Sequence, residues 1–111
     1  MELQADPRGG FLAILVNDDR IDAASAIQFK DRMRELTQGT TGRVVLDLAQ
    51  VAFLDSSGLG AVVAAMKALG PDRPLELAGL TPTVQKVFRL TRMDSVFTIH
   101  PVLPDGLRTA G

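Results

Sequence analysis

The sequence predicts an α/β fold: one small domain over residues 1–111, with a mixed, mostly parallel sheet of about five strands and helices packed against it. Short apolar runs at 11–16, 43–49, 75–80 and 96–100 read as strands. Between them, apolar residues return every three or four positions, the spacing of one helix face. Strands that alternate in this way with helices of about ten to fifteen residues need crossover connections, which make neighbouring strands parallel.

The elements follow in order. FLAILV at 11–16 lies between Gly9-Gly10 and Asn17-Asp18-Asp19 and reads as a buried strand. The preceding ELQA pairs with it through the PRGG turn as an edge strand, and this hairpin makes the sheet mixed. From Asp22 the pattern becomes helical: Ala26, Phe29, Met33 and Leu36 form one face, with Ile27 beside them and Lys30, Asp31, Arg34 and Glu35 opposite. Gly39 to Gly42 end that helix. RVVLDLA at 43–49 is the second strong strand. Beyond the corner FLDSSGLG, Leu59, Val62, Val63, Met66 and Leu69 keep helical spacing until Gly70-Pro71. Ala61, Ala64, Ala65 and Ala68 fall off that stripe, either as a smooth surface for a partner or simply as good helix formers. LELAGL at 75–80 alternates as a strand. Thr81 is placed to cap a third helix with Pro82 in its first turn and Val84, Val87, Phe88 and Leu90 or Thr91 on its apolar side. VFTIH at 96–100 is the last strand, and no pattern follows Pro101.

Composition excludes several function classes. Twelve basic residues against thirteen acidic ones leave a net charge of −1, so neither nucleic acid nor an anionic membrane is a general partner. MELQADPRGG has no basic segment followed by an apolar core, and the longest apolar stretch, near Leu59 to Met66, falls far short of the roughly 20 residues that span a bilayer. These features predict a cytoplasmic protein without membrane insertion. There is no cysteine, and His100 is the single histidine, so no metal site and no cofactor is expected.

The FLDSSGLG corner carries the functional signal. Ser, Asp and Gly serve any strand-to-helix turn, because a side-chain oxygen caps a free N–H of the first helical turn. Helix phase separates the two serines: at about 100° per residue, Ser56 lies about 60° from Leu59, towards the core, and Ser57 about 200° away, towards solvent. Gly58 and Gly60 each cost roughly 1 kcal/mol inside a helix. Either something approaches the backbone closely there or the helix starts later. A hydrolase using Ser57 as nucleophile needs a general base, but His100 sits on the last strand and no G-x-S-x-G elbow is present. Neither a P-loop nor G-x-G-x-x-G occurs. Lys86, Arg89 and Arg92 form a basic strip on the third helix, which is either solvated surface or a contact for an anionic partner.

VVLDLAQVAFLDSSGLGAVVAAM resembles the STAS domain, in particular the stand-alone anti-sigma factor antagonists of bacteria. The resemblance extends to FLAILV, to RIDAASA and to LELAGLTPTVQKVFRL, and so covers nearly the whole chain. One departure is Asp19, where the family usually has glycine ahead of the segment matching Arg20-Ile21-Asp22. The resemblance implies a partner-switching regulator rather than an enzyme. Ser57 would be phosphorylated by an anti-sigma factor with serine kinase activity, and a phosphatase would reverse the step. The unphosphorylated protein would bind that kinase and free the sigma factor. Asp22 and Asp55 match acidic positions that flank the serine, and the implied partner-binding set is Asp22, Asp55, Ser56, Ser57, Gly58, Leu59 and Gly60. The alternative within the fold is a non-phosphorylated STAS scaffold or transporter-associated interaction module. It would dock through the Leu59–Leu69 helix, with Ser57 serving only as a cap.

Overall fold

Five strands form the main sheet of the computed structural model, which describes residues 1–104. They are β1 (Leu3–Arg8), β2 (Phe11–Val16), β4 (Arg43–Asp47), β6 (Leu75–Ala78) and β7 (Thr98–His100), in that spatial order. A second, two-residue ribbon pairs β3 (Arg20–Ile21) with β5 (Phe53–Leu54). The helices are α1 (Ala26–Thr37), α2 (Ser56–Leu69) and α3 (Pro82–Leu90). β1 and β2 are antiparallel, joined at Gly9-Gly10, and every later neighbour is parallel. The mixed α/β sheet read from the sequence is therefore the observed one. None of the described helices is long and apolar enough to cross a membrane.

Alternation along the strands builds two unequal faces. Ile14, Val16, Val44, Leu46, Leu75 and Leu77 point to the side covered by all three helices, where they meet Phe29, Met33, Val62, Val84 and Phe88 in one core. On the other side Phe11, Ala13, Val45 and Ala78 form a smaller cluster, with Leu103 packed over it. Between these strands Glu76 takes both nitrogens of the Arg43 fork at 2.8 Å and lies 2.7 Å from His100 Nε2. The Arg43 guanidinium also rests 5.5 Å from the Phe11 ring centroid. The Arg43 hydrogen bonds, aided by His100, hold the Glu76 carboxyl down to about 2 against the upward push of burial. LELA at 75–78 alternates in sequence, yet all four residues are buried, because a parallel strand deep in the sheet is covered on both faces.

Several boundaries differ from the sequence reading. α1 begins at Ala26 rather than near Asp22, because Asp22 to Ser25 fold into a turn of their own, and Ile27 is exposed. β4 stops at Asp47, whose carboxylate accepts the Ala49 N–H and turns the chain out of the sheet. The fully buried residues of α2 are Gly58, Ala61, Val62 and Ala65, while Leu59, Val63, Met66 and Leu69 are only partly covered. Of the alanines, Ala61 and Ala65 are buried, whereas Ala64 is half-buried and Ala68 exposed; Ala64, Ala65 and Ala68 line a hollow of about 160 Å³ with Lys30, Met33 and Arg34 of α1. Thr81 precedes α3 but does not cap it through its side chain; its hydroxyl donates instead to Val51 O at 2.7 Å. The last strand is limited to Thr98–His100, after a 3₁₀ turn at Met93–Ser95. Residues 105–111, at the end of the domain range 1–111 read from the sequence, lie outside the described residues.

Candidate functional site

Asp55 organises the corner. Its backbone is extended (φ −96°, ψ −174°), as an N-cap requires, and its Oδ1 accepts the Gly58 N–H at 2.8 Å. The other oxygen, Oδ2, accepts the Ala23 N–H at 3.2 Å, so one carboxylate ties the first turn of α2 to the loop entering α1. Asp22 closes that loop: its Oδ1 accepts the Ala24 and Ser25 N–H groups at 3.1 and 3.2 Å, and its own N–H donates to Ser25 Oγ. Arg20 approaches Asp22 Oδ2 at 3.5 Å, and its guanidinium carbon stands 5.3 Å from the centroid of the exposed Phe53 ring.

α2 begins at Ser56, so both glycines of the motif are helical. Gly58 is buried, and a Cβ there would collide with the Ile21 carbonyl oxygen and touch Leu54 Cδ1 at 3.0 Å. The ribbon of β3 and β5 thus lies directly on the first turn of α2, and glycine is what lets it. Gly60 is different: a Cβ there would meet nothing within 4 Å. Close approach explains one glycine of the motif and not the other.

The two serines separate from expectation in one respect. Ser57 is exposed, as its phase predicts, whereas Ser56 is exposed as well and does not turn to the core. The phase argument counted from Leu59, which is itself only partly buried; the deepest side of α2 is the Gly58–Ala61–Val62–Ala65 side. Ser56 is not the cap either, because Asp55 fills that role. Neither serine hydroxyl has a hydrogen-bond partner among the described residues. Asp22, Asp55, Ser56, Ser57, Gly58, Leu59 and Gly60 all lie on this corner, Asp22 brought in by the Ala23–Asp55 bond. Asp19 needs no glycine: its φ is negative, and its carbonyl accepts the Ala52 and Phe53 N–H groups.

Arg20 and Phe53 were missed by reading the sequence. They meet only because β3 pairs with β5, two residues each, too short to carry a period. His100 makes no hydrogen bond to this corner. It projects from the sheet face opposite the helices, held by Glu76, so the imidazole cannot serve Ser57 as a base. Among the described residues there is no group of three or more His, Cys, Asp or Glu placed to hold a metal ion.

This corner on this sheet defines a STAS domain, and the chain belongs to the STAS family, whose model matches residues 2–106. A Listeria monocytogenes protein named anti-sigma-B factor antagonist is 34% identical over 84 residues, covering 74% of this chain and 73% of that protein. An anti-sigma factor antagonist from Mycobacterium paratuberculosis has the same fold, with a TM-score of 0.82, 24% identity and coverage of 92% and 86% of the two chains. The Bacillus cell fate determinant SpoIIAA in its phosphorylated form superposes with a TM-score of 0.61 at 20% identity, covering 88% of this chain and 90% of that one.

Proposed function

We propose that this protein is an anti-sigma factor antagonist switched by phosphorylation of Ser57. The observation that carries the reading is a first helical turn whose two serine hydroxyls, Ser56 and Ser57, are exposed and unengaged because Asp55 supplies the cap, and the family resemblance selects Ser57 of the two. Modification of Ser57 removes no contact that holds the fold. A phosphate there brings roughly −1.5 to −2 charges to a helix N-terminus, which the helix dipole tolerates. Across an interface the same charge must be desolvated beside Asp55 and Asp22, and a loss of about 3 kcal/mol is a hundredfold or more in affinity. The Listeria relative's name and the phosphorylated state of SpoIIAA support the reading.

In this account the unphosphorylated protein docks its corner on an anti-sigma factor with serine kinase activity. Ser56, Ser57 and Gly60 are the exposed part of that edge, extended by Phe53 and Arg20. Leu59 is half-covered beside them, and Gly58, Asp22 and Asp55 shape the edge from beneath. A phosphatase restores the binding form. The test is affinity capture from the source cells with Ser57→Ala and Ser57→Asp as baits. The alanine bait should retain an ATP-binding serine kinase and the aspartate bait should lose it. Equal capture by both would show that charge at Ser57 does not choose the partner and would favour the scaffold reading.

A further inference from the structure

The basic strip of α3 plays no part in the Ser57 corner, and the structure leaves it unneutralised. Val84 and Phe88 are the buried side of α3. At about 100° per residue Lys86 lies opposite them, with Arg89 and Leu90 on its flanks. Lys86, Arg89 and Arg92 are all exposed, Leu90 is 71% exposed, and Val96 just beyond is 48% exposed. The other described arginines are engaged: Arg8, Arg20, Arg32, Arg34 and Arg43 each pair with a carboxylate, and Arg73 bonds to Gly42 O and Thr40 Oγ1. Among the described residues no ion pair engages Lys86, Arg89 or Arg92. Asp94 lines the same hollow as Arg89 without pairing to it. Arg92 also holds a left-handed backbone, φ 61°, at the exit of α3, where glycine would sit without strain.

A hollow of about 350 Å³ meets this strip at Arg89, between α3 and β7, a strand at the edge of the sheet, with Gln85 and Asp94 as well as Phe88, Phe97 and Ile99 in its lining. We propose that the outer face of α3 and this hollow form a second docking surface, for an acidic protein segment that carries an apolar side chain. Three cations without internal partners call for carboxylates, and Leu90 and Val96, apolar yet exposed on the same stretch, call for an aliphatic side chain on the partner. A membrane is the poorer fit, because each cation contributes only about 1 kcal/mol near an anionic leaflet and the face has no continuous apolar stripe to insert. Single-stranded nucleic acid is poorer still, since the strip has no aromatic and Phe88 and Phe97 in the hollow are buried, leaving no ring face on which a base could stack. The surface is distinct from the Ser57 corner. α3 starts near the lead-in to that corner, where Thr81 bonds to Val51, and Arg89 lies about 10 Å further along the helix.

The test uses the full chain and a short fluorescein-labelled peptide of repeating Glu-Glu-Leu triplets, followed by anisotropy at low salt and at about 0.3 M salt. The peptide should bind and weaken with salt. Replacing Lys86, Arg89 and Arg92 together by Gln should weaken it at least about tenfold, and Leu90→Ser alone about threefold or more. Ser57→Asp should leave it unchanged, which separates this surface from the switch. All four residues are exposed, so thermal unfolding should stay at the parental temperature; if the triple variant fails to fold, Leu90→Ser decides. The proposal is overturned if the parent does not bind the peptide, or if the variants bind like the parent. It is equally overturned if phosphatidylglycerol vesicles or a single-stranded oligonucleotide bind more tightly than the peptide.

Discussion

Two glycines two residues apart in one helix have opposite roles, and that makes a sharp test. Gly58→Ala forces a methyl group into the Ile21 carbonyl and must push the β3–β5 ribbon off α2; we expect a loss of about 2–3 kcal/mol in urea denaturation. Gly60→Ala adds a methyl group in open space on an exposed helical position and should gain about 0.5–1 kcal/mol. Losses at both positions would mean that the first turn of α2 does not lie against Ile21 as described. Asp55 and Ser56 make a second pair. Asp55→Ala removes the cap and the tether to Ala23 and should cost about 1–2 kcal/mol, while Ser56→Ala should cost under about 0.5 kcal/mol. Sequence alone could not assign the cap, because Asp, Ser and Ser stand consecutively and all three are good N-caps. Only the extended backbone of Asp55 and the direction of its carboxylate decide it.

Among the elements, the sheet was legible because its strands are dense apolar runs bounded by Gly, Pro or Asp, and the hairpin because Gly9-Gly10 turns tightly, although Pro7 and Arg8 of PRGG pair within β1 rather than turn. What was not legible depends on contacts between segments distant in sequence. The β3–β5 ribbon is two residues per strand, and the true core side of α2 is marked by Gly and Ala, which carry no hydrophobic signal in a sequence. LELAGL alternates because Glu76 stands between leucines, yet Glu76 is buried too and bonded to Arg43 and His100. That triad has a pH signature. A folded-state carboxyl at about 2, below its ordinary 4.5, contributes stability that is present above pH 4.5 and is lost as pH falls towards 2. Allowing for a half-exposed Arg43, the loss is on the order of 2 kcal/mol. Glu76→Gln should be less stable at neutral pH, and the part of the acid loss due to this carboxyl should be missing from its stability curve between pH 5 and 2. An unchanged acid limb in Glu76→Gln would show that other carboxyls govern it.

Across the whole molecule, the helices lie on one side of the sheet and the Arg43–Glu76–His100 row on the other, so the proposed switch and this ion-pair row use separate residues. A charge at Ser57 should therefore alter partner choice without altering the fold. Ser57→Asp is expected to unfold within about 0.5 kcal/mol of the parent in urea, because the hydroxyl it replaces makes no bond and the new charge sits at a helix N-terminus. A larger loss would assign Ser57 a structural role. The family resemblance carried by VVLDLAQVAFLDSSGLG was readable in the sequence, and it is what selects Ser57, because Ser56 and Ser57 are both exposed and both released from capping by Asp55. The most direct test of the switch is phosphosite mapping by mass spectrometry on the protein isolated from its own cells, in growth and under stress. The account predicts one phosphate, on Ser57, with an occupancy that changes between the two conditions. Ser57 unmodified in every condition, or a phosphate on Ser56 instead, would contradict it.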